Sequence, residues 1–313
     1  MKNSVKKQKT KRTGSNVSAP FVAVMLAWPL LHLLVFSVFM NLMTLANSFL
    51  RYDGETAIFA GFMRYTDIFK DIFKYGGGIR AAALNSLTFL PLNVFVILPL
   101  AIFFSYFIYK KVFAYKTFRV IFFLPSIISV VVLIMAFRYM FDDRFGPMTK
   151  LLEGIGLEGL HGNGWFETRW KSYGMLWIYL LWSGIGYNIV LVQGSMIRVP
   201  KEVIESSKID GAGMFRELFE IIIPMIFSTV ATMILFGALG TFTLFVQPQL
   251  MFGSNSGSDL YTLPLCIVNL TRSGGLNGQA SASALGVIVT IVGAPIMILL
   301  RWFLNKITPD VEV

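Results

Sequence analysis

Two groups of residues in the second half of the chain have the chemistry needed for binding. The first is the polar stretch 200–224, which lies between two strongly apolar segments and contains the carboxylates of Glu205 and Asp210. These carboxylates could hold a loop or pair with basic groups of another protein. The second group lies within the apolar segments, where Tyr187 and Asn188 offer a hydroxyl, an amide and an aromatic surface. Such groups suit a neutral solute whose hydroxyls need hydrogen-bond partners.

The polar stretch 200–224 predicts a short helix, a turn and a second helix. Proline is tolerated in a first helical turn, so a helix can run over about 200–210. Gly211 can then relieve the backbone at a turn, and a second helix can start near Met214. Pro224 should bend this second helix where it meets the membrane. By composition alone, the alternative is an ordinary polar loop.

Small and polar residues recur at spacings of three and four in two apolar segments, which places them largely on one face of each helix. These residues are Leu180, Ser183, Gly184 and Tyr187 in the earlier segment, and Gly237, Gly240, Thr241 and Leu244 in the later one. Asn188 and Gln193 are costly in lipid unless they have partners, so we expect them to face protein or a pore. The two faces could line a path for a solute, or their glycines could simply allow helices to pack closely.

Groups able to catalyse a reaction are missing from the apolar segments. None of these segments contains a pair of carboxylates, and the two histidines, His32 and His161, lie far apart. The single Cys266 excludes an internal disulfide and a cysteine-rich metal site, and the sequence has no Gly-Lys-Ser/Thr phosphate loop. We therefore predict that the chain is not an enzyme, has no catalytic residues, and binds no metal or cofactor itself. The missing carboxylates also disfavour an ion-coupled carrier, although sodium sites built from carbonyls stay open.

The composition is that of a membrane protein. Of the 313 residues, 55% are hydrophobic and 14% are charged, a balance that soluble domains rarely reach. A spanning helix needs about 20 largely apolar residues, and several segments exceed that length. We expect an all-α polytopic protein with a basic tail at 1–16, a six-span domain at 17–307 and a C-terminal tail at 308–313. The spans are predicted at about 20–47, 81–109, 120–141, 173–197, 221–251 and 281–300, with a short cytoplasmic helix within 200–220.

The charge distribution predicts the orientation. The net charge of +10 could suggest a nucleic-acid partner, but the basic residues cluster between apolar spans. We interpret them as the positive-inside bias of membrane loops and predict no nucleic-acid partner. Lys and Arg are denser in 1–16, 110–119, 198–220 and 301–313 than in the other loops. This pattern places both termini and the polar stretch in the cytoplasm.

The outer loop 48–80 mixes charged residues with large apolar ones. Within it, Ile68, Phe69, Ile72 and Phe73 recur at spacings of three and four. These residues therefore share one face of a helix. We expect a short amphipathic helix at the outer membrane surface.

The polar stretch also resembles a known family motif. It reads Glu205-Ser206-Ser207-x-x-Asp210-Gly211-Ala212, followed by Ile221-x-x-Pro224. This closely resembles the EAA motif of permease subunits of binding-protein-dependent ABC importers, in which the motif forms a coupling helix that docks on the cytoplasmic ATPase. Two serines stand where the family has alanines, a small-for-small exchange, and Ile223 stands where the family has leucine.

The resemblance covers roughly residues 20–307 and points to the carbohydrate branch of the family, the maltose-, glycerophosphate- and oligosaccharide-type permeases. The segments that are similar to this branch are Asn85–Ser86, Phe122–Ser129, Phe137–Asp142, Phe145–Pro147 and Ala280–Gly286. By resemblance to the maltose-type permease, the two small-residue faces coincide with its sugar-lining helices. Gly184 and Tyr187 match that pattern. The positions where that relative has other, mostly polar, side chains are Leu180, Gly237, Thr241 and Leu244, which indicates a different substrate.

The resemblance implies a type I ABC importer permease fold in the cell membrane of a prokaryote. The chain would form half of a translocation pore for a sugar, an oligosaccharide in particular, and a second homologous permease would form the other half. Two ATPase subunits would bind ATP and Mg, and an extracytoplasmic sugar-binding protein would deliver the solute. Gly211 would allow the tight turn, Ala212 would keep the docking surface small, and Pro224 would fix the angle into the fifth span. The alternatives are an importer of another solute, such as glycerol-3-phosphate, and an ATP-independent secondary transporter.

Overall fold

The computed structural model of the chain describes residues 19–156, 164–253 and 257–308. The expectations for the tail at 1–16, for His161 and for residues 309–313 fall outside these ranges. The chain divides into two compact units, the first ending at Asn47 and the second starting at Ser48.

Four helices are long and apolar enough to cross a membrane, and two sharply bent pairs of helices could each make a further span. In chain order we call these six elements segments 1 to 6. Their bounds are Pro20–Asn47, Gly78–Tyr109, Tyr115–Ile127 with Val130–Met140, Arg169–Met196, Met214–Met225 with Phe227–Thr243, and Gly275–Ile307. The predicted class, a helical protein with several membrane spans, is therefore confirmed.

Segment 1 makes up the described part of the first unit. It consists of an α-helix at Ala19–His32, a π-helical stretch at Leu33–Phe39 and an α-helix at Met40–Asn47. At about 1.5 Å per residue it is longer than the hydrocarbon core of a bilayer, which is about 30 Å thick. Its side chains are mostly apolar, and most of them are exposed, as in a helix that contacts lipid or other helices.

Segments 2 and 5 are interrupted by π-helical turns. Segment 2 consists of Gly78–Leu87, Phe89–Leu92, the π-helical turn Asn93–Ile97 and Leu98–Tyr109. Segment 5 consists of Met214–Arg216, the π-helical turn Glu217–Ile222, Ile223–Met225 and, after a bend, Phe227–Thr243. A π-helical turn inserts an extra residue into a helix and re-aims the side chains around it.

The shorter elements of the second unit connect these segments. The helices are Met63–Phe73, Pro147–Gly154, Lys201–Ile209, Val246–Phe252 and Leu263–Ser273, with a 3₁₀ turn at Ser258–Leu260. Strands Leu50–Asp53 and Thr56–Phe59 pair as an antiparallel hairpin. Gly54 has a φ of +61°, a conformation that favours glycine in the two-residue loop of a hairpin. The sequence analysis did not predict this hairpin, because its strands are short and lie in a stretch of mixed charge.

Arg64 holds the hairpin against segment 6. Its guanidinium donates to the carbonyl oxygen of Leu50 at 2.7 Å, to the side chain of Asn277 at 2.6 Å and to that of Ser281 at 2.6 Å. The Asn277 amide in turn donates to the carbonyl oxygen of Tyr52 at 2.7 Å. These contacts satisfy backbone groups of a hairpin too short to be stable alone.

The predicted amphipathic helix is present at Met63–Phe73. Only part of its apolar face packs against the rest of the unit. Ile68 is buried and Ile72 is half-buried in a cluster with segments 2 and 6, whereas Phe69 and Phe73 are exposed. The exposed pair agrees with a helix that rests on a membrane surface, which was the predicted position.

Segment 3 differs from the continuous span expected over 120–141. Its two helices meet at Ile128 and Ser129, where both residues have extended ψ values, and their axes differ by 106°. Pro125 lies in the last turn of the first helix, where its ring removes a backbone donor and weakens the turn. The apolar composition on both sides of the break hides it from a hydropathy pattern.

Segment 5 also differs from its expected bounds of 221–251. The long helix ends at Thr243, Leu244 is extended, and Val246–Phe252 forms a separate helix. Pro248 lies within this short helix, in its first turn, where proline is tolerated. The chain therefore leaves the helical direction before the apolar run ends.

Close contacts between segments depend on individual residues. A Cβ at Gly186 in segment 4 would lie 2.0 Å from the carbonyl oxygen of Phe122 in segment 3, so only glycine allows this approach.

Asn85 in segment 2 is buried and donates to the carbonyl oxygens of Asp259 and Tyr261, both at 2.8 Å. Its own side-chain oxygen accepts a hydrogen bond from Arg169 at 2.6 Å. Asn85 thereby ties segment 2 to segment 4 and to the chain before Leu263.

The main core joins segments 2, 4 and 5 to the helix Lys201–Ile209. Its buried members are Leu98, Ile102, Tyr106, Val192, Met196, Val199, Ile204, Leu218, Ile222, Ile226, Val230 and Met233. The polar stretch contributes Ile204 from its first helix, and Leu218 and Ile222 from its π-helical turn. The polar stretch is therefore packed onto the spans and is not a free loop.

Candidate functional site

The polar stretch 200–224 forms a helix, a glycine turn and a second helix. The first helix, Lys201–Ile209, starts after Pro200, whose backbone is extended. Gly211 has a φ of +76°, and the amide of Ala212 donates to the carbonyl oxygen of Ser207 at 2.9 Å. A left-handed glycine that follows a helix and closes its last turn is a common way to end a helix.

The first helix has one buried and one exposed side. Ile204 and Ser207 are buried, and the Ser207 hydroxyl donates to the carbonyl oxygen of Ile204 at 2.8 Å. Glu205, Ser206, Asp210 and Gly211 are exposed, and Ala212 and Pro224 are half-buried. The predicted motif residues therefore share one surface, except Ser207, which faces the core, and Pro224, which lies further along the chain.

The exposed surface of the stretch combines carboxylates with large apolar side chains. Ile209 is 86% exposed, and Met214 and Phe215 are exposed as well. Within the described part of the chain, the Glu205 carboxylate has no hydrogen bond or ion pair, while the Asp210 carboxylate interacts electrostatically with Arg216. Apolar residues surrounded by charges are typical of a surface that binds another protein.

Gly211 is required by its backbone and not by its surroundings within the chain. A Cβ built at Gly211 would meet no atom within 4 Å. Its positive φ nevertheless strains any residue with a side chain. The open space beside Gly211 also leaves room for another protein to approach the backbone closely.

The bend within segment 5 lies two residues after Pro224. The π-helical turn Glu217–Ile222 is followed by Ile223–Met225, and at Ile226 the direction changes by 76° into Phe227–Thr243. Pro224 cannot donate a backbone hydrogen bond to the turn before it. A wider π-helical turn before the proline and a bend after it are consistent with that missing bond.

A cavity of about 260 Å³ lies between segments 2, 4 and 5. Its lining is mostly apolar, with Asn93, Tyr187 and Asn188 as polar groups. The other lining residues are Phe89, Leu92, Ile97, Leu180, Gly184, Met233, Phe236, Gly237, Gly240 and Leu244. An apolar pocket with a few polar groups is the usual form of a small-molecule site.

Most of the predicted solute-lining residues meet at this cavity, but two do not. The members that line it are Gly184, Tyr187, Asn188, Gly237, Gly240 and Leu244, together with Leu180. Ser183 is not among the lining residues, and Thr241 is buried in the protein interior. Residues three or four apart share a face of a helix only approximately, so these two side chains need not reach the cavity.

The structure separates the glycines that pack from those that face open space. A Cβ at Gly237 would lie 2.0 Å from the side-chain oxygen of Asn93. A Cβ at Gly184 or Gly240 would meet nothing within 4 Å. Gly237 is therefore a packing residue that seats Asn93 against segment 5, whereas Gly184 and Gly240 leave the cavity wide.

Asn93 was not identified from the sequence. It begins the π-helical turn Asn93–Ile97 of segment 2, which directs its amide toward segment 5. The signal in the sequence was a single amide inside a long apolar run, which is costly in lipid without a partner. By contrast, Asn188 was identified, and it donates to the carbonyl oxygen of Gly184 in its own helix at 3.0 Å.

No group of three or more His, Cys, Asp or Glu side chains that could hold a metal ion occurs among the residues that the structure describes.

The family described as "Binding-protein-dependent transport system inner membrane component" matches residues 97–312. Among individual relatives, the arabinooligosaccharides transport system permease protein AraP of Halalkalibacterium halodurans is 25% identical over 84% of this chain and 81% of that protein. The probable ABC transporter permease protein YurN of Bacillus subtilis is 28% identical over 58% of this chain and 61% of that protein. The diacetylchitobiose uptake system permease protein NgcF of Streptomyces coelicolor is 27% identical over 59% and 53%.

The fold is similar to that of a solved transporter. A chain of a bacterial ABC transporter involved in the import of the acidic polysaccharide alginate aligns with a TM-score of 0.77 at 18% identity, covering 92% of this chain and 96% of that one. This likeness supports the six-segment interpretation of the fold. The match to the family covers well over half of the chain and includes both the polar stretch and two of the three segments around the cavity in full. The chain therefore belongs to the family of binding-protein-dependent transport system inner membrane components, and it is a membrane permease subunit and not an enzyme.

Proposed function

We propose that this chain is the permease subunit of an ATP-driven importer of carbohydrate, with an oligosaccharide as the substrate. The observation that carries the proposal is the arrangement of the polar stretch, which exposes the carboxylates of Glu205 and Asp210 and the turn at Gly211 while Ile204 packs into the core of segments 2, 4 and 5. Those same segments surround the cavity. A protein bound to the stretch would therefore act on the walls of the cavity through direct packing.

The names of the relatives support carbohydrate as the substrate class. One is a permease for arabinooligosaccharides and another for diacetylchitobiose. The cavity has groups suited to such solutes, since Asn93 and the Tyr187 hydroxyl can bond to sugar hydroxyls and the ring of Phe89 can contact an apolar sugar face. None of the described lining residues is Lys or Arg, which disfavours an anionic solute such as glycerol-3-phosphate.

The proposed assembly has several subunits. The chain forms half of a pore in the cell membrane, and a second, homologous permease forms the other half. Two ATPase subunits bind ATP and Mg in the cytoplasm. The excess of Lys and Arg in 110–119 and 198–220 supports a cytoplasmic position for the polar stretch and, by the same rule, for both termini. An extracytoplasmic protein delivers the sugar.

The motif residues have distinct roles in this proposal. Glu205 and Asp210 pair with basic groups of the ATPase, and Ser206 and Ala212 keep the surface low enough for close contact. Gly211 makes the turn, and Ser207 holds the helix to the core. Closure of the ATPase dimer moves the helix Lys201–Ile209. The movement reaches the helix Phe227–Thr243 of segment 5 through the bend after Pro224.

The proposal is tested by purifying the tagged chain in mild detergent and identifying what accompanies it by mass spectrometry. We expect a second six-span permease and an ATPase with a phosphate loop, in a ratio of one to one to two. The purified assembly should take up labelled oligosaccharide into liposomes only with ATP and a binding protein. A chain that purifies alone and transports without ATP would instead establish a secondary transporter. Uptake of glycerol-3-phosphate in place of sugars would leave the importer intact and change its substrate.

A further inference from the structure

A buried ion pair connects the polar stretch to segment 2. The ammonium group of Lys110, at the end of segment 2, contacts the carboxylate of Glu217 in the π-helical turn Glu217–Ile222. The Glu217 side chain is 4% exposed and that of Lys110 is 27% exposed. Glu217 lies six residues after Gly211 and is not part of the motif that the sequence analysis identified.

The surroundings of the pair show why both charges are needed. The Lys110 ammonium lies 5.4 Å from the centre of the Tyr106 ring, and Glu217 interacts with the hydroxyl groups of Tyr106 and Tyr109. The neighbours of Glu217 along the chain, Leu218 and Ile222, are buried in the main core. A carboxylate in such a site is stable only with a counter-ion, because its hydration is lost.

The position of the pair gives it a mechanical consequence. Glu217 lies between the glycine turn at Gly211 and the bend at Ile226, in the first part of segment 5, which joins the exposed surface to the helix Phe227–Thr243. Lys110 directly follows segment 2, the same segment that carries Asn93 into the cavity. The pair therefore connects the polar stretch directly to segment 2, which forms another side of the cavity.

We propose that Lys110 and Glu217 are positioning residues that make segment 2 follow the movement of the polar stretch. This inference rests on the proposed function, since it assumes that an ATPase drives the stretch. With the pair intact, the two parts of the cavity lining that come from segment 2, at Asn93, and from segment 5, at Gly237, move together. Without it, the stretch moves segment 5 while segment 2 lags, and ATP is hydrolysed without transport.

A second ion pair in the same part of the chain offers a matched control. Arg216 and Glu220 form an ion pair at 2.7 Å, but both side chains are more than 60% exposed. Exposed pairs contribute little to stability or geometry. Glu220→Gln therefore removes a carboxylate close to Glu217 in sequence without disturbing the contact between segments.

The test uses the purified assembly of the chain with its copurifying permease and ATPase, and it measures labelled oligosaccharide taken up per ATP hydrolysed. We expect Glu217→Gln and Lys110→Met to retain the ATPase but to lower this ratio by about tenfold or more, within the range of typical coupling energies. The exchange Lys110→Glu with Glu217→Lys should recover most of the ratio, and Glu220→Gln should leave it unchanged. An unchanged ratio in Glu217→Gln would overturn the inference, as would single variants that the exchange does not restore.

A cross-linking experiment separates positioning from a fault in folding. Lys110→Cys and Glu217→Cys are combined in a chain with Cys266→Ser, and the ratio is measured in one preparation before and after a short bismaleimide is added. Restoration of the ratio by the linker supports the inference, and a ratio that stays low in linked protein overturns it. If the wild-type chain purifies without an ATPase, the proposed function fails and this inference fails with it. If the wild-type assembly couples uptake to ATP hydrolysis and Glu217→Gln has the same ratio, only this inference is overturned.

Discussion

The contact between Gly237 and Asn93 predicts opposite effects for two similar substitutions in segment 5. A Cβ at residue 237 would lie 2.0 Å from the Asn93 side-chain oxygen, whereas ordinary contacts begin at 3.4 Å, so these atoms must separate by about 1.4 Å. A Cβ at residue 240, one turn further along the same helix, meets nothing within 4 Å. Gly237→Ala should therefore displace Asn93, and Gly240→Ala should not.

The magnitude follows from two opposing terms. Alanine is favoured over glycine in a helix by about 1 kcal/mol, and this gain is common to both substitutions. Overpacking costs about 1–3 kcal/mol and applies only to Gly237→Ala. The two variants should therefore differ by about 1–3 kcal/mol in free energy of unfolding, which is a few degrees or more in melting temperature for a chain of this size.

The single cysteine provides the assay. Cys266 is buried, and burial raises the pKa of its thiol to about 11, so in the folded protein at pH 7.5 it is protonated and shielded from reagents. A thiol-reactive fluorophore then reports unfolding as temperature rises. Gly237→Ala should melt below Gly240→Ala, and adding Asn93→Ala should remove most of the difference. Equal melting temperatures for the two single variants would refute the assignment of Gly237 as the residue that seats Asn93.

Three further predictions test other parts of the molecule. Gly211→Glu places a charged side chain at a φ of +76° on the exposed turn. The variant should lose the ATPase during copurification, while its insertion into the membrane stays normal. ATP-driven uptake at the wild-type rate would contradict the docking assignment. Asn85→Ala removes three hydrogen bonds made by a buried side chain and should lower stability by about 2–4 kcal/mol in the same melting assay; an unchanged melting temperature would show that water replaces them. Trp170 and Lys208 are both exposed in the structure, so a difference in their labelling reports the side of the membrane on which each lies. In a chain with Cys266→Ser, an impermeant maleimide added to intact cells should label Trp170→Cys, on the outer side, but not Lys208→Cys, in the cytoplasm. The reverse pattern would invert the topology.

The surface motif was readable from the sequence because its chemistry is local. Pro200, Gly211 and Gly213 determine where the helices of the polar stretch begin and end, since each restricts or frees its own backbone. The predicted helix over about 200–210 and the second helix from Met214 correspond to Lys201–Ile209 and Met214–Arg216. The roles proposed for Glu205 and Asp210 on a partner remain predictions.

The cavity was only partly readable. Helical spacing brought Gly184, Tyr187 and Gly240 to one site, but it could not tell that Ser183 and Thr241 point elsewhere. Spacing gives a side chain's direction only for an ideal straight helix. Which side of each helix faces the cavity depends on how segments 2, 4 and 5 pack, and the π-helical turn Asn93–Ile97 and the bend at Ile226 contribute to that packing. Hydropathy does not register such turns because both sides of them are apolar.

The sequence by itself determined that the chain is a helical membrane protein of the permease family, because apolar length, basic loops and a short motif are properties of contiguous residues. Only the tertiary structure decided that Asn93 joins the cavity, that Gly237 packs while Gly240 stays open, and that Lys110 pairs with Glu217. Each of these contacts joins residues more than a hundred positions apart or depends on the rotation of one helix against another. Long-range contacts of this kind come from the packing of whole segments, which no local pattern of residue types specifies.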